Sequence, residues 1–303
     1  MKDIIRHKNI KDFLVSIGQP ESKASDFTIR YLPDIQPEAP FESPVFRAEY
    51  FSFVFINEGR GTYSIDEKEF PFQKNTVYFT NPGHLKSYKT EAPTDGYIIA
   101  LSENFLREWV HPDIFKEFPF LLAETVPPAQ MSTTQFKELE VLYLNILGEY
   151  QKQGPFRKNI LGNLFVVLLF KIKEYFWIDY DPLQEGNRNS QIVRAFKKEL
   201  EKQFRASISP QGITHMMQVQ DYANKLGLHP NYFNSVVKSK TGKTANDWIA
   251  SRSVSAARSL LKTTNLPIKE IAYRLGFKEP THFSRFFKKH ARTSPGAFRK
   301  RYA

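Results

Sequence analysis

Residues 267–299 have the sequence PIKEIAYRLGFKEPTHFSRFFKKHARTSPGAFR, which predicts two short helices joined by a turn. Pro267 and Pro280 each open a helix in its first turn, where the missing N–H costs nothing. Gly276 suits the left-handed conformation that ends the first helix and turns the chain. Two short helices joined in this way are typical of a helix-turn-helix unit, whose second helix enters the major groove of DNA.

The same pattern occurs once more upstream. Residues 223–228 (ANKLGL) are echoed 49 residues later by residues 272–277 (AYRLGF), with glycine again at the turn. Residues 244–262, between the two copies, predict one longer helix capped by Thr244, which would hold both units at a fixed separation. If that separation is roughly 34 Å, the two second helices can enter successive major grooves on one face of the duplex.

Each second helix has an apolar and a polar face. Asparagine can make a bidentate contact to adenine and arginine to guanine, whereas serine, threonine and histidine bond to several base edges. Base contacts are therefore expected from Asn231, Asn234, Ser235, Thr281, His282 and Arg285. Lysines late in each helix are expected at phosphates, which add affinity without sequence information: Lys238, Lys240, Lys288 and Lys289. Taken singly, each of these residues also fits an ordinary solvated helix face, and His282 fits an internal hydrogen bond.

The charge is divided unevenly along the chain. Residues 190–303 carry 22 Lys and Arg against 6 Asp and Glu, a net charge of +16, whereas residues 1–189 carry −5 and the whole chain +11. A strongly basic segment joined to a mildly acidic one indicates a polyanionic partner for the second part. The alternative is a solvated cationic surface that binds nothing.

The first part of the chain predicts a small antiparallel barrel followed by helices. Residues 27–99 are rich in aromatic and β-branched residues broken by short turns, and helical spacing follows over about 133–178. The polar segment 181–189 is the expected linker, which divides the chain into domains at 1–180 and 190–303. Barrel aromatic residues are candidates to line an effector pocket, although they also fit a plain core: Phe51, Phe53, Phe55, Tyr63 and Tyr78.

Several classes of function are disfavoured by what the chain lacks. It has no cysteine, which removes disulfides, thiolate metal ligands and cysteine nucleophiles. The barrel region offers His84 as its one histidine, too few ligands for a catalytic transition metal. The longest apolar run, 164–170, is far short of a membrane span, and the polar N-terminus lacks the apolar core of a signal peptide. We expect no catalytic residue, cofactor, metal or membrane partner, and a cytoplasmic location.

Residues 190–302 resemble the AraC/XylS family of bacterial transcription regulators, most specifically over residues 267–299. Residues 59–66 and 75–83 are similar to that family's cupin-type barrel, but without the histidine cluster of enzymatic cupins. The resemblance implies an α+β, two-domain protein: a cupin-like barrel with flanking helices, then an all-α domain with two helix-turn-helix units joined by a linker helix. In that family the first domain senses an effector or mediates dimerisation.

The leading hypothesis is a sequence-specific regulator of transcription that binds double-stranded DNA and responds to a small molecule in the barrel. A homodimer is expected, because the helices over 133–177 carry more apolar surface than a small barrel needs, and RNA polymerase is a further partner. Two alternatives stay open: a regulator whose barrel only dimerises, and a cupin-type metalloenzyme fused to a DNA-binding module. A DNA repair methyltransferase on the same module would need a thiolate to accept the alkyl group.

Overall fold

The computed structural model describes residues 4–18, 26–35, 38–66, 68–123, 127–176, 188–208 and 215–302. The chain divides into two compact units, Met1–Gln184 and Glu185–Ala303. The predicted fold class is confirmed, with a β-rich first unit and a helical second one. Most of the predicted linker 181–189 lies outside the described residues. Its last two residues, Arg188 and Asn189, belong instead to the first helix of the second unit.

In the described part of the first unit, nine strands form a single sheet in the order β1-β4-β8-β5-β7-β9, with β2 and β3 also pairing with β8 and β6 with β5. β1 pairs with β4 in parallel, and the other pairings are antiparallel. The strands are β1 Ile5–His7, β2 Phe27–Tyr31, β3 Phe41–Glu42, β4 Phe46–Ala48, β5 Phe51–Ile65, β6 Lys68–Phe72, β7 Thr76–Thr80, β8 Leu85–Leu101 and β9 Ala129–Gln130.

The two long strands fold the sheet over on itself. The first part of β5 pairs with β7 and its last part with β6, while β8 pairs with β5 along nearly all of its length. The register between β5 and β8 shifts three times between Ile56 and Gly61. Such bulges insert extra residues and bend a strand. The sheet therefore has an inner face, which encloses a cavity, and an outer face, which packs against helices.

The outer face of the sheet is covered by the two long helices α4 and α5. The Phe136 ring of α4 stacks on Phe55 with ring centroids 3.9 Å apart, and Phe165 of α5 meets Phe53 edge-on at 5.0 Å. The helices of this unit are α1 Ile10–Ser16, α2 Glu103–Phe105, α3 Ile114–Glu117, α4 Thr133–Gln151 and α5 Arg157–Phe176. Residues 177 and 178, at the end of the predicted helical region, lie outside the described residues.

The second unit is helical throughout its described residues. Its helices are α6 Arg188–Ile208, α7 Val219–Lys225, α8 Pro230–Thr241, α9 Ala245–Thr263, α10 Ile268–Arg274, α11 Pro280–Ala291 and α12 Pro295–Tyr302. The repeat in the sequence is a repeat in the structure, because α7–α8 and α10–α11 are two helix pairs joined through glycine turns. Gly227 has φ +66° and Gly276 has φ +78°, a left-handed conformation that favours glycine. α9 is the predicted linker helix.

In the described part of the chain, no helix is both long enough and apolar enough to cross a membrane.

Candidate nucleic-acid interface and ligand cavity

α8 exposes a polar stripe because its apolar residues anchor the opposite face. The helix begins at Pro230, and the imidazole Nδ1 of the capping His229 accepts a hydrogen bond from the Asn231 N–H at 3.3 Å. Phe233 and Val237 are fully buried. The outer stripe consists of three exposed residues whose side chains make no hydrogen bond or ion pair with any residue that the structure describes: Asn231, Ser235 and Lys238.

Asn234 was predicted to contact a base, but the structure gives it a different position. It is half-buried, and its Oδ1 accepts a hydrogen bond from the N–H of Ala245, the first residue of α9, at 3.0 Å. A bidentate contact to adenine needs both the carbonyl and the amide of the side chain. Asn234 therefore positions α9 against α8 in this conformation. Lys240, predicted at a phosphate, is also half-buried rather than exposed.

α11 has the same construction with more positive charge. Phe283 and Phe287 are fully buried, and the Phe283 ring lies 5.4 Å from the ring of Phe277 in the preceding turn. On the outer face of α11, the exposed side chains make no hydrogen bond or ion pair with other described residues. The internal hydrogen bond considered for His282 is therefore not seen. These exposed residues are Thr281, His282, Arg285, Lys288 and Lys289.

The second helices of the two repeats, α8 and α11, are called the reading helices after the role predicted from the sequence, and they are held by a shared scaffold. Both pack against α9, which begins with a capping box between Thr244 and Asp247. Farther along α9, the buried Arg252 Nε lies 3.0 Å from Glu201 Oε1 of α6. Neither α8 nor α11 contains an acidic residue. The second unit thus offers two polar, acid-free helix faces from one rigid framework, and the spacing between them stays a prediction.

The first unit contains a cavity of about 520 Å³ inside the folded sheet. This volume lies within the range of roughly 300–1,000 Å³ that is typical of small-molecule sites. Two of the predicted pocket residues lie in its wall, Tyr63 of β5 and Tyr78 of β7, with their rings 4.8 Å apart. Most of the remaining lining is apolar, including Leu32, Val54 and Ile98.

Three predicted pocket residues, Phe51, Phe53 and Phe55, do not line this cavity. They are buried on the outer face of the sheet, in the core shared with α4 and α5. Successive side chains of a strand point to opposite faces, so the intervening residues Ser52, Val54 and Ile56 line the cavity instead. The register shifts after Ile56 reverse this alternation, which is why the odd-numbered Tyr63 faces inward.

One residue in the cavity wall, Lys86 of β8, was not predicted from the sequence. It is 2% exposed, and its Nζ donates a hydrogen bond to Thr80 Oγ1 at 2.7 Å. Burial lowers the pKa of Lys86 to about 7, with Asp66 partly opposing the shift. A lysine on an antiparallel strand usually faces solvent. No sequence signal separates Lys86 from the exposed Lys89 of the same strand.

His84 is the one histidine of residues 27–99, the predicted barrel region. It lies just before β8 but is 1% exposed, and its Nδ1 lies 2.9 Å from Asp66 Oδ2. In the described parts of the chain, no group of three or more His, Cys, Asp or Glu residues is arranged to hold a metal ion. His84 and Asp66 therefore act as a buried pair that joins the β5–β6 turn to the start of β8.

Two family descriptions match separate parts of the chain. Residues 222–301 match "Helix-turn-helix domain", and residues 41–155 match "AraC-like ligand binding domain". The first range contains both reading helices, and the second contains most of the folded sheet and α4. Together with the geometry, these matches define a DNA-binding regulator with a separate ligand-binding domain. The chain belongs to the AraC family of transcription regulators.

Curated relatives match along most of the chain. The "Uncharacterized HTH-type transcriptional regulator YfiF" of Bacillus subtilis is 24% identical over 260 residues, which cover 84% of this chain and 77% of that protein. The "Msm operon regulatory protein" of Streptococcus mutans is 23% identical over 85% of this chain and 86% of its own length. The "Arabinose operon regulatory protein" of Escherichia coli is 22% identical over 80% of this chain and 77% of its own.

Proposed function

We propose that this regulator docks α8 and α11 into two successive major grooves, and that a small molecule in the sheet cavity controls its affinity for DNA. The observation that carries the proposal is the pair of exposed, acid-free helix faces mounted on α9. Residues 1–180 are assigned to sensing and residues 190–303 to DNA binding. A protein with this role works in the cytoplasm, where it meets DNA and RNA polymerase.

Within this proposal, the exposed polar residues of the reading helices have two roles, which follow from their side-chain chemistry. Those near the start of each helix reach base edges: Asn231, Ser235, Thr281, His282 and Arg285. Those near the end contact phosphates, because a lysine serves there as a point charge: Lys238, Lys288 and Lys289. The half-buried Asn234 is left out of the base-reading set because its carbonyl oxygen already bonds to Ala245.

The proposal is tested by selecting bound sequences from a random duplex library with the full-length protein. We expect one enriched sequence with two blocks separated by about one helical turn. Its affinity should fall steeply with salt, because each phosphate contact contributes about −0.9 to the slope of log K against log salt. Recovery of no enriched sequence would contradict sequence-specific recognition.

Arg285→Ala is expected to weaken binding to the selected sequence by about 1–3 kcal/mol and to relax base preference at one position. Arg285 is exposed on α11 and forms no ion pair with described residues, so its loss should leave folding unchanged. Arg285→Lys retains the charge but not the bidentate fork. It should therefore keep the salt slope and still lose the base preference, as measured by competition binding.

The matched control for Arg285 is Lys198→Ala, which removes an exposed cation from α6, outside both reading helices. This control should change neither the base preference nor the affinity by more than about 0.5 kcal/mol, as expected for an unremarkable surface position. An unchanged base preference in Arg285→Ala would remove Arg285 from the reading set.

We also propose that the regulator is a homodimer joined through α4 and α5. Both helices expose large apolar side chains to solvent on one unit taken alone. Val141 is 57% exposed and Val167 is 46% exposed, and the others are Leu144, Ile160 and Phe170. Exposed apolar surface concentrated on neighbouring helices is typical of an interaction site.

Charged replacements on these helices are expected to shift the protein toward monomer. A lysine at the centre of an apolar contact must be desolvated, so Val141→Lys and Val167→Lys should each raise the dimer dissociation constant at least about tenfold. Sedimentation velocity across a dilution series measures this. Val15→Lys on α1 is the control, because Val15 is 58% exposed but lies outside α4 and α5. A wild-type protein that sediments as monomer at micromolar concentration contradicts the proposal.

The two alternative functions have separate tests. A ligand that binds only the folded protein raises the melting temperature, so a thermal-shift screen against metabolites distinguishes an effector-responsive regulator from one whose barrel only dimerises. Stoichiometric iron, zinc or manganese in the purified protein would favour a metalloenzyme. We infer a non-enzymatic role, because the matched family consists of regulators.

A further inference from the structure

The cavity has a few polar side chains in a largely apolar wall. Lys86 Nζ donates to Thr80 Oγ1, and the Tyr63 hydroxyl lies near the same threonine. Charge on Lys86 also acts on His7. Most of the remaining lining is hydrocarbon and aromatic, including Phe13, Leu32 and Ile35. The chamber therefore matches a molecule with one polar group and an apolar body.

Lys86 lacks the counter-ion that a buried cation requires. Within the described ranges, no carboxylate lies within ion-pair distance of its Nζ, and Asp66 acts on it only from farther away. Asp66 is already bound to the His84 ring and to the Leu85 N–H. A buried ammonium without a partner is disfavoured, so an anion placed beside Lys86 would stabilise its charged form.

Two polar atoms of residues that line the cavity are unsatisfied. The Tyr63 hydroxyl and His7 Nε2 are buried, and neither forms a hydrogen bond of normal geometry with any residue that the structure describes. His7 is held through its other nitrogen, Nδ1, which lies 3.3 Å from the Tyr50 hydroxyl. Buried polar atoms without partners are rare in native proteins, and a bound ligand is one way to satisfy them.

We propose that the effector is an amphipathic carboxylate, whose carboxylate is bound by Lys86 and the Tyr63 hydroxyl and whose alkyl or aryl body contacts the apolar lining of the cavity. This inference rests on the proposed effector function of the same cavity. The unsatisfied His7 Nε2 in the cavity wall is available for a further hydrogen bond. A carboxylate oxygen has two acceptor sites, so one group can satisfy both a lysine and a tyrosine donor.

The depressed pKa of Lys86 gives this binding a measurable signature. At pH 8 the amine is mostly neutral in the free protein, because its pKa is about 7. An anion beside it favours the charged form, so binding should draw in about one proton per carboxylate. His7 stays neutral at pH 8, because the ordinary pKa of histidine is already below 8 and burial lowers it more. Asp66 is the carboxylate that acts on Lys86, and the other titratable groups of the cavity lining are His7, Asp34, Tyr50, Tyr63, Tyr78 and Tyr88.

The test is isothermal titration calorimetry of the full-length protein with two matched probe pairs: octanoate with octan-1-ol, and 4-phenylbutanoate with 4-phenylbutan-1-ol. At least one carboxylate should bind more than about tenfold tighter than its alcohol. Titrations at pH 8 in buffers of different ionisation enthalpy should give proton uptake that disappears at pH 6. Equal affinity for acid and alcohol, or an absence of proton uptake at pH 8, overturns the proposal.

Variants locate the effect on the proposed residues. Lys86→Met should abolish both the preference for the carboxylate over the alcohol and the proton uptake. Tyr63→Phe should weaken binding of the carboxylate and leave binding of the alcohol unchanged. Lys89→Met, on an exposed position of the same strand, is the control and should behave as wild type. A carboxylate preference that survives Lys86→Met also overturns the proposal.

The outcome separates this inference from the effector function itself. A neutral metabolite that fills the cavity and changes DNA affinity, with neither carboxylate bound, overturns the carboxylate proposal and leaves the effector function intact. A carboxylate that binds through Lys86 without changing DNA affinity supports the ligand class and contradicts the regulatory coupling.

Discussion

Phe283→Ala is expected to lower the free energy of unfolding of the second unit by about 3–5 kcal/mol, the usual cost of deleting a buried aromatic ring. Phe283 is fully buried and anchors α11 against Phe277 in the preceding turn. Because the stability of a domain is typically about 5–15 kcal/mol, this loss should leave α11 poorly held. DNA affinity should therefore fall by more than it does in Arg285→Ala, as measured by the same competition assay.

The unfolding of the second unit can be followed separately from that of the first. The chain has three tryptophans, and Trp248 is the one in the second unit. Urea denaturation of a Trp109→Phe, Trp177→Phe background would report that unit alone. The matched control is Phe165→Ala, which removes an equally buried ring from α5 of the first unit. If it shifted the Trp248 transition as much as Phe283→Ala does, the two units would unfold as one, contrary to the proposed domain division.

Lys86→Met is expected to stabilise the first unit, an unusual sign for a buried substitution. Burial depresses the pKa of Lys86 from 10.5 to about 7, and each unit of depression costs the folded state about 1.4 kcal/mol while the unfolded lysine is charged. Loss of the hydrogen bond to Thr80 should reduce the stabilisation by about 1 kcal/mol. The net increase in the free energy of unfolding should be roughly 2–4 kcal/mol at pH 7.

The stabilisation by Lys86→Met should depend on pH with a definite sign. Between pH 7 and 10.5 the unfolded lysine binds more protons than the folded one, so the wild-type free energy of unfolding rises with pH. The advantage of the variant should be complete below pH 7 and should vanish as pH approaches 10.5. Urea denaturation at several pH values measures it, with Lys89→Met as control. A difference that stays constant with pH would mean that Lys86 titrates normally.

The second unit could be predicted from its sequence because its signals are local. Helical spacing, the glycine turns at Gly227 and Gly276, and proline at each helix start lie within a few residues of the structure that they determine. Asn234 shows the limit of such signals. Its bond to the Ala245 N–H joins residues 11 apart across a helix boundary, so the helical wheel placed it correctly beside the exposed stripe but could not show that its oxygen was occupied.

The cavity was less predictable because strands pair with distant partners. Both faces of β5 carry large apolar residues, so alternation alone could not show which face encloses the cavity and which meets α4 and α5. Phe51, Phe53 and Phe55 were assigned to the wrong face for this reason. Lys86 escaped notice because a charged residue is normally assigned to solvent, and only the folded sheet reveals that it is enclosed.

The register shifts between Ile56 and Gly61 divide the cavity-facing positions of β5 into two sets. Before them, even-numbered residues face the chamber; after them, an odd-numbered one, Tyr63, does. A library that aims to retune the response to a new inducer should therefore randomise Ser52, Val54 and Tyr63 while leaving Phe53 and Phe55 fixed. Deleting a single residue within the bulged segment would turn Tyr63 away from the chamber. The deletion should impair ligand binding without altering α8 and α11.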